Sequence, residues 1–156
     1  MKKLAVSLFF LFSMYSFAFD GHLRLGTITN TNSYDKEQGF EHYAPTIGFE
    51  LTQSFIVADL GVGVAYNGKN AGAEIVPGYL VARWNVIPIL IKPYVVAKVG
   101  KVVSTNPKGD YYYGAGIGMN FAMLQGELLY SITKIDDSRK DDQLKQLSLV
   151  LGYKLF

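Results

Sequence analysis

Two histidines are the residues best suited to acid–base chemistry in this 156-residue chain. An activated serine nucleophile needs a histidine and a carboxylate that converge on it. His42 follows Glu41, but no serine stands at a recognisable motif spacing, and His22 falls within a predicted strand. The glycine-rich segment 114–118 is not followed by a helix pattern, and no metal-ligand spacing occurs. The sequence therefore predicts no catalytic, metal-binding or cofactor-binding residues, and we do not expect an enzyme.

The first eighteen residues have the features of a secretory signal peptide. Lys2 and Lys3 precede an apolar run over residues 4–12, and Ala18 supplies a small residue at a cleavage site. This run is shorter than the roughly 20 apolar residues that a membrane-spanning helix needs. We expect residues 1–18 to be removed, which leaves one domain over residues 19–156.

The charge balance argues against a nucleic-acid partner. The chain has 15 Lys and Arg against 13 Asp and Glu, and loss of Lys2 and Lys3 leaves 13 against 13. A nucleic-acid-binding domain needs a clustered basic face instead. The chain has no cysteine, which excludes disulfides and thiolate metal sites.

About eight segments alternate apolar and small or polar residues with the period of two that a β-strand requires. The clearest are 111–122, 56–67, 43–52 and the C-terminal segment 147–156. The most apolar stretch, 79–99, contains Pro88 and Pro93 and several polar residues, which disfavours a transmembrane helix. The pattern predicts an all-β, eight-stranded, antiparallel, up-and-down transmembrane barrel. A soluble β-sandwich is the alternative.

Charged residues test the assignment of the two faces. A Lys or Arg on the lipid face costs about 2–4 kcal/mol at the bilayer midplane, so charges inside strands should face the lumen. Those in the well-defined strands all oppose the apolar face. We predict a neutralised polar network in the lumen, because unpaired buried charges are costly. Its members are Arg24, Glu50, Asp59, Lys98, Asn120, Glu127 and Lys154.

The fourth strand conflicts with this scheme. Tyr79 and Val81 share a face with Arg83, so an outward apolar face would carry a charge into lipid. Arg83 would be tolerated at the barrel rim, where the cost falls to about 0–1 kcal/mol. A β-bulge near this end would also resolve the conflict. The sequence does not choose between these two explanations.

The connections and the aromatic residues indicate the two ends of the barrel. Polar connections at 30–41, 67–72, 104–110 and 136–142 alternate with short turns near 52–55 and 123–125 and a longer, apolar one at 85–92. We name these the loop end and the turn end. Aromatic side chains favour both membrane interfaces. The predicted belts contain Tyr43, Tyr66, Tyr111 and Tyr113 at the loop end and Phe49, Phe55, Phe121 and Tyr153 at the turn end.

The mature chain resembles the small eight-stranded outer-membrane barrels of the OmpA-like and OmpX-like group. The resemblance rests on Lys92–Gly100, on Tyr113–Phe121 and on the terminal Phe156. It implies a bacterial outer-membrane location and insertion by the barrel-assembly machinery, for which Phe156 would be the assembly signal. Lys154 departs from the group, which usually has an apolar residue or Tyr third from the end. Roles in the group range from envelope integrity to adhesion and lipid modification.

The expected partners are lipids and surface ligands. A barrel of this group would contact outer-membrane lipids and lipopolysaccharide, and we expect a monomer. The mixed-charge segments Tyr34–Phe40 and Asp136–Asp142 would form a solvated cap; they could instead bind an extracellular ligand, or divalent cations through the acids around Arg139 and Lys140. We expect a structural or surface-interaction role; a lipid A-modifying enzyme and a very narrow pore are the alternatives.

Overall fold

The computed structural model describes residues 19–31, 43–70, 73–86, 91–106, 109–135 and 143–156. The predicted signal peptide, His42 and the two mixed-charge segments lie outside these ranges. Eight strands form one closed antiparallel barrel in sequence order, which confirms the predicted fold class. They are β1 (Phe19–Asn30), β2 (Tyr43–Ser54), β3 (Ala58–Asn70), β4 (Ala73–Asn85), β5 (Ile91–Asn106), β6 (Gly109–Phe121), β7 (Leu124–Ile135) and β8 (Gln143–Lys154). Within these ranges there is no helix with the length and hydropathy of a membrane span.

The barrel closes where the first strand pairs with the last. His22 lies opposite Lys154 and Asn30 opposite Gln146 in an unshifted register between β1 and β8. The chain then ends beyond β8, where the Leu155 amide donates to the Gly21 carbonyl and the Gly21 amide donates to the Phe156 carbonyl, at 2.8 and 3.2 Å. The Phe156 ring lies over Gly21, where a Cβ would come within 2.5 Å of the ring atom Cζ. The lack of a side chain at Gly21 therefore leaves room for the ring. Phe156 thus extends past the strand and remains largely exposed at the turn end.

The outer wall is apolar and the lumen is mostly polar, the reverse of a soluble domain. Large apolar side chains on every strand are exposed outward, and Glu50, Arg83, Lys98 and Glu127 are buried inside. A wall of this kind matches a barrel that contacts lipid. Some large apolar residues also fill the lumen in one cluster: Tyr79, Val81, Tyr94, Val96, Tyr112 and Leu129.

The side chains of β4 are oriented in a way that neither the rim nor the bulge explanation predicted. Tyr79, Val81 and Arg83 all face inward and are buried, whereas Leu80 and Trp84 are exposed on the outer wall. Arg83 pairs in regular register with Asp59 of β3, so neither a rim position nor a local bulge accounts for it. The register of β4 shifts instead near its other end, between Val76 and Pro77. The error arose because Tyr79 and Val81 are apolar residues that fill the lumen.

Two of the predicted loops are mainly strand. β3 continues to Asn70 before β4 begins at Ala73, and β5 continues to Asn106 before β6 begins at Gly109. Both hairpins therefore extend through the Asn- and Lys-containing segments that the sequence assigned to loops. Antiparallel pairing satisfies the backbone groups of polar residues as well as those of apolar ones.

Candidate functional site

Five charged side chains from five strands meet in the middle of the lumen. Arg24 of β1, Glu50 of β2, Arg83 of β4, Lys98 of β5 and Glu127 of β7 form a set that we call the lumen cluster. Their side chains are between 0 and 3 % exposed. Burial this deep requires that each charge has partners, since water cannot compensate it.

Glu50 contacts all three cations of the lumen cluster. Its Oε2 accepts a hydrogen bond from Arg24 Nη1 at 3.2 Å and another from Arg83 Nη2. Its Oε1 lies 2.9 Å from Lys98 Nζ and accepts a hydrogen bond from the Tyr79 hydroxyl at 2.8 Å. Both carboxylate oxygens are therefore occupied by charge-assisted contacts.

Glu127 repeats this arrangement from the other side of the lumen. Its Oε1 lies 2.7 Å from Arg24 Nη2 and 2.9 Å from Lys98 Nζ, and its Oε2 lies 3.6 Å from Arg83 Nε. The Tyr94 hydroxyl donates a hydrogen bond to Oε2 at 3.1 Å. Each carboxylate thus binds three cations and one tyrosine hydroxyl.

The lumen cluster has a formal charge of +1, because three cations surround two carboxylates. The tyrosine rings also contact the cations: Lys98 Nζ lies 4.8 Å from the Tyr79 ring centre, and the Arg83 guanidinium lies 5.7 Å from that of Tyr94. The negative faces of the rings favour the excess positive charge. This composition differs from the neutral set of three cations and three anions that the sequence suggested.

Inward glycines leave room for these side chains at two positions. A Cβ on Gly63 would lie 2.7 Å from Glu50 Cγ and from Tyr79 Cε2, and a Cβ on Gly118 would lie 2.4 Å from Tyr94 Cζ. Other inward glycines, such as Gly61, allow a neighbouring backbone to approach instead. The Cβ of an alanine at Gly61 would lie 2.1 Å from the Leu51 carbonyl oxygen.

Four of the seven lumen residues named from the sequence belong to the lumen cluster, namely Arg24, Glu50, Lys98 and Glu127. The other three, Asp59, Asn120 and Lys154, line a cavity of about 470 Å³ that we call the turn-end vestibule. Sequence reasoning missed Arg83, Tyr79 and Tyr94. The rule that charges inside strands face the lumen predicts an inward Arg83. We gave more weight to the apolar residues around Arg83, and this was the mistake.

The turn-end vestibule is polar and holds one of the two histidines. His22 shares a hydrogen bond of 3.1 Å with the Thr52 hydroxyl through Nε2. Within the described residues its Nδ1 has no hydrogen-bond partner, and no group of three or more His, Asp or Glu side chains could hold a metal ion. A void of about 30 Å³ on the other side of the lumen cluster touches Arg24 and Lys98, and a volume this small suits about one water molecule.

Lys154 forms an ion pair at the rim rather than in the lumen cluster. Its Nζ lies 2.7 Å from Asp20 Oδ1, and the two side chains are 38 and 19 % exposed. The Ser54 hydroxyl donates a hydrogen bond to Asp20 Oδ2 at 3.2 Å.

Loss of this rim pair should have a small effect on stability. We expect Lys154→Met to change the free energy of unfolding by about 1 kcal/mol or less, because exposed ion pairs contribute little. Urea titration of the folded protein in lipid vesicles measures this change. A loss as large as that of a buried pair, about 3 kcal/mol or more, would place Lys154 in the buried network after all.

The aromatic residues of the two predicted belts lie on the outer wall. Tyr43, Tyr66, Tyr111 and Tyr113 are exposed near the loop end; Phe55, Phe121 and Tyr153 are exposed near the turn end, and Phe49 is half-buried. Trp84, Phe19 and Phe156 are further exposed aromatic residues near the turn end that were not assigned to a belt.

Neither a protein-family model nor a curated protein sequence matches the chain. Several solved structures resemble it. Neisserial surface protein A has a TM-score of 0.58 and 13 % identity over 88 % of this chain and 97 % of its own. The outer membrane enzyme PagL has a TM-score of 0.54 and 13 % identity over 86 and 98 %. Ail, the attachment invasion locus protein of Yersinia pestis, solved with the heparin analogue sucrose octasulfate, has a TM-score of 0.51 and 11 % identity over 88 and 99 %. The chain therefore has the fold of the small eight-stranded outer-membrane barrels.

Proposed function

We propose that this chain is an integral protein of the bacterial outer membrane with a non-enzymatic role, either in envelope integrity or in interactions at the cell surface. Exposed apolar side chains such as Val62, Ile117 and Leu151 cover the outer wall. This wall would be unstable in water and suits the hydrocarbon core of a bilayer. All three structural neighbours named above are described as surface or outer-membrane proteins or as an attachment protein.

The orientation follows from the two ends. Short turns and both termini of the described domain lie at the turn end, which is the periplasmic side in barrels of this kind. The loop end would then face the exterior. There the segments Tyr34–Phe40 and Asp136–Asp142 are the candidate surface for an extracellular ligand. The terminal strand with Phe156 is the candidate signal for the barrel-assembly machinery.

The buried lumen cluster is the observation that carries the proposed role. Its fully buried side chains fill the barrel between the turn-end vestibule and the small void. An eight-stranded barrel has an interior just wide enough for side chains to fill. This filling supports a lumen that serves neither as a passage nor as a substrate site, and it makes the outer wall and the loop end the candidate surfaces for function.

The competing class is an enzyme that modifies lipid A, and an experiment on whole cells separates the two. We expect lipid A from cells with and without the gene to have the same acyl pattern in mass spectra. Cells that express Glu50→Gln serve as a control for envelope stress caused by a misassembled barrel. A change in acyl chains that follows the intact gene and is absent from both other strains would contradict the proposal.

Removal of the loop segments separates the two non-enzymatic roles. In one strain, short Gly-Ser turns replace residues 34–40 and 136–142, and the barrel remains intact. If the role is structural, this strain resists detergents as the wild type does, whereas the strain without the gene does not. If the role is surface interaction, the trimmed strain loses attachment to host cells or matrix. No defect in either assay for the gene deletion would contradict both roles.

A further inference from the structure

The outer wall has a groove of about 550 Å³ across β3, β4, β5 and β6. Its floor is Gly78, which faces outward on β4 between Val64 and Lys101 of the adjacent strands. A Cβ at this position would lie 3.2 Å from Val103 Cγ2. The wall thus lacks a side chain at this point, and Leu80 and Val99 form apolar sides around the gap.

A cation and two aromatic rings form the edge of the groove toward the loop end. The rings of Tyr111 and Tyr113 stack with centroids 6.3 Å apart and planes inclined by 24°. Lys101 is exposed, and its Nζ lies 5.4 Å from the centre of the Tyr111 ring. An outward lysine is costly at the bilayer midplane but not at the interface, where tyrosines also concentrate. This edge therefore belongs at the level of lipid headgroups.

An apolar groove with a lysine and two tyrosines at its edge matches an amphiphile with an acyl chain and an anionic headgroup. We infer that the groove binds one acyl chain of a phosphate-bearing glycolipid of the outer leaflet, and that Lys101 contacts its phosphate. The inference rests on the proposed outer-membrane location, which puts the loop end in the outer leaflet. A phospholipid of the periplasmic leaflet would place its headgroup at the opposite end of the wall. The protein would therefore carry a bound glycolipid as part of its membrane-facing surface.

The test measures binding of purified lipid A to the folded protein in detergent micelles by native mass spectrometry. We expect Lys101→Gln to weaken binding by about tenfold, the effect of one lost hydrogen bond to a charged group. Gly78→Leu fills the floor of the groove and should weaken binding to a similar extent. Lipid A without its phosphates should bind to the wild type as weakly as intact lipid A binds to Lys101→Gln.

Matched controls separate a site from general lipid contact. Lys134 is another exposed lysine near the loop end, on β7, and Gly126 is an outward glycine whose Cβ would meet only Met119 Cγ at 3.9 Å. Lys134→Gln and Gly126→Leu should bind lipid A within about twofold of the wild type, because neither lies at the groove. Equal binding by all four variants, or equal binding of phosphatidylglycerol, would overturn the inference.

Failure of the inference can be told from failure of the proposed location. A protein that stays soluble without detergent and migrates identically in gels with and without boiling would contradict the membrane location itself. A protein that inserts into vesicles, but whose groove variants bind lipid A as the wild type does, would contradict only the lipid site.

Discussion

Glu50→Gln is expected to lower the free energy of unfolding by about 3–5 kcal/mol, the range observed when one member of a buried ion pair is removed. The glutamine has nearly the same volume, so the change removes charge rather than packing. Glu127 would remain as the single carboxylate opposite Arg24, Arg83 and Lys98, and the formal charge of the lumen cluster would rise from +1 to +2.

Urea titration in lipid vesicles, read from the mobility of unboiled samples in gels, measures this effect. Asp59→Asn is the matched control, because Asp59 is also an inward carboxylate but makes no ion pair with any described residue and lines the turn-end vestibule. Because this change breaks no ion pair, we expect it to lower the free energy of unfolding by no more than the loss of an exposed ion pair does, about 1 kcal/mol or less. Similar losses for the two variants would mean that the lumen cluster has no special role in stability.

Gly100→Ala should have the second large effect, through steric overlap rather than charge. A Cβ at Gly100 would lie 2.0 Å from the Gly78 carbonyl oxygen and 2.6 Å from Tyr79 Cα, both of which are backbone atoms of β4. Since a backbone atom cannot rotate away as a side chain can, the two strands must separate. We expect a loss of about 3 kcal/mol or more, at the upper end of overpacking substitutions, or failure to fold.

The control for Gly100→Ala is Gly126→Ala, where the added Cβ makes only an ordinary contact with the Met119 side chain. This variant should fold with a stability within about 0.5 kcal/mol of the wild type. The yield of the heat-modifiable form and its urea midpoint measure both variants. A Gly100→Ala protein as stable as Gly126→Ala would show that β4 and β5 are not packed as closely as the structure has them.

Much of the barrel could be predicted because period-two alternation states which residues share a face. In β6, for example, Tyr111, Tyr113, Ile117 and Met119 are exposed and Tyr112 is buried, as the pattern predicted. Alternation does not state which face is inside when both are apolar. β4 is such a strand: Tyr79 and Val81 fill the lumen, and Leu80 and Trp84 face outward. The charge of Arg83 was the better guide there.

The partners within the lumen cluster could not be predicted from the sequence. Glu50 and Glu127 were both placed inside, but their contacts depend on the mutual heights of β1, β2, β4, β5 and β7 around a closed barrel. Small differences in register decide that Arg83 reaches both carboxylates and that Lys154 reaches Asp20 instead. The excess of one positive charge follows from that geometry and not from composition, because residues 19–156 contain equal numbers of acids and bases.

The closed lumen is the central claim, and the electrical conductance of the wild-type protein in a planar lipid bilayer tests it most directly. A bilayer that contains the folded protein should show no steady current steps above those of the protein-free bilayer, whereas a large-pore barrel added to the same chamber provides the positive control. Reproducible steps that depend on the folded wild-type protein would contradict a lumen closed by Glu50, Glu127 and their three cations, and would make passage through the barrel a function of this chain.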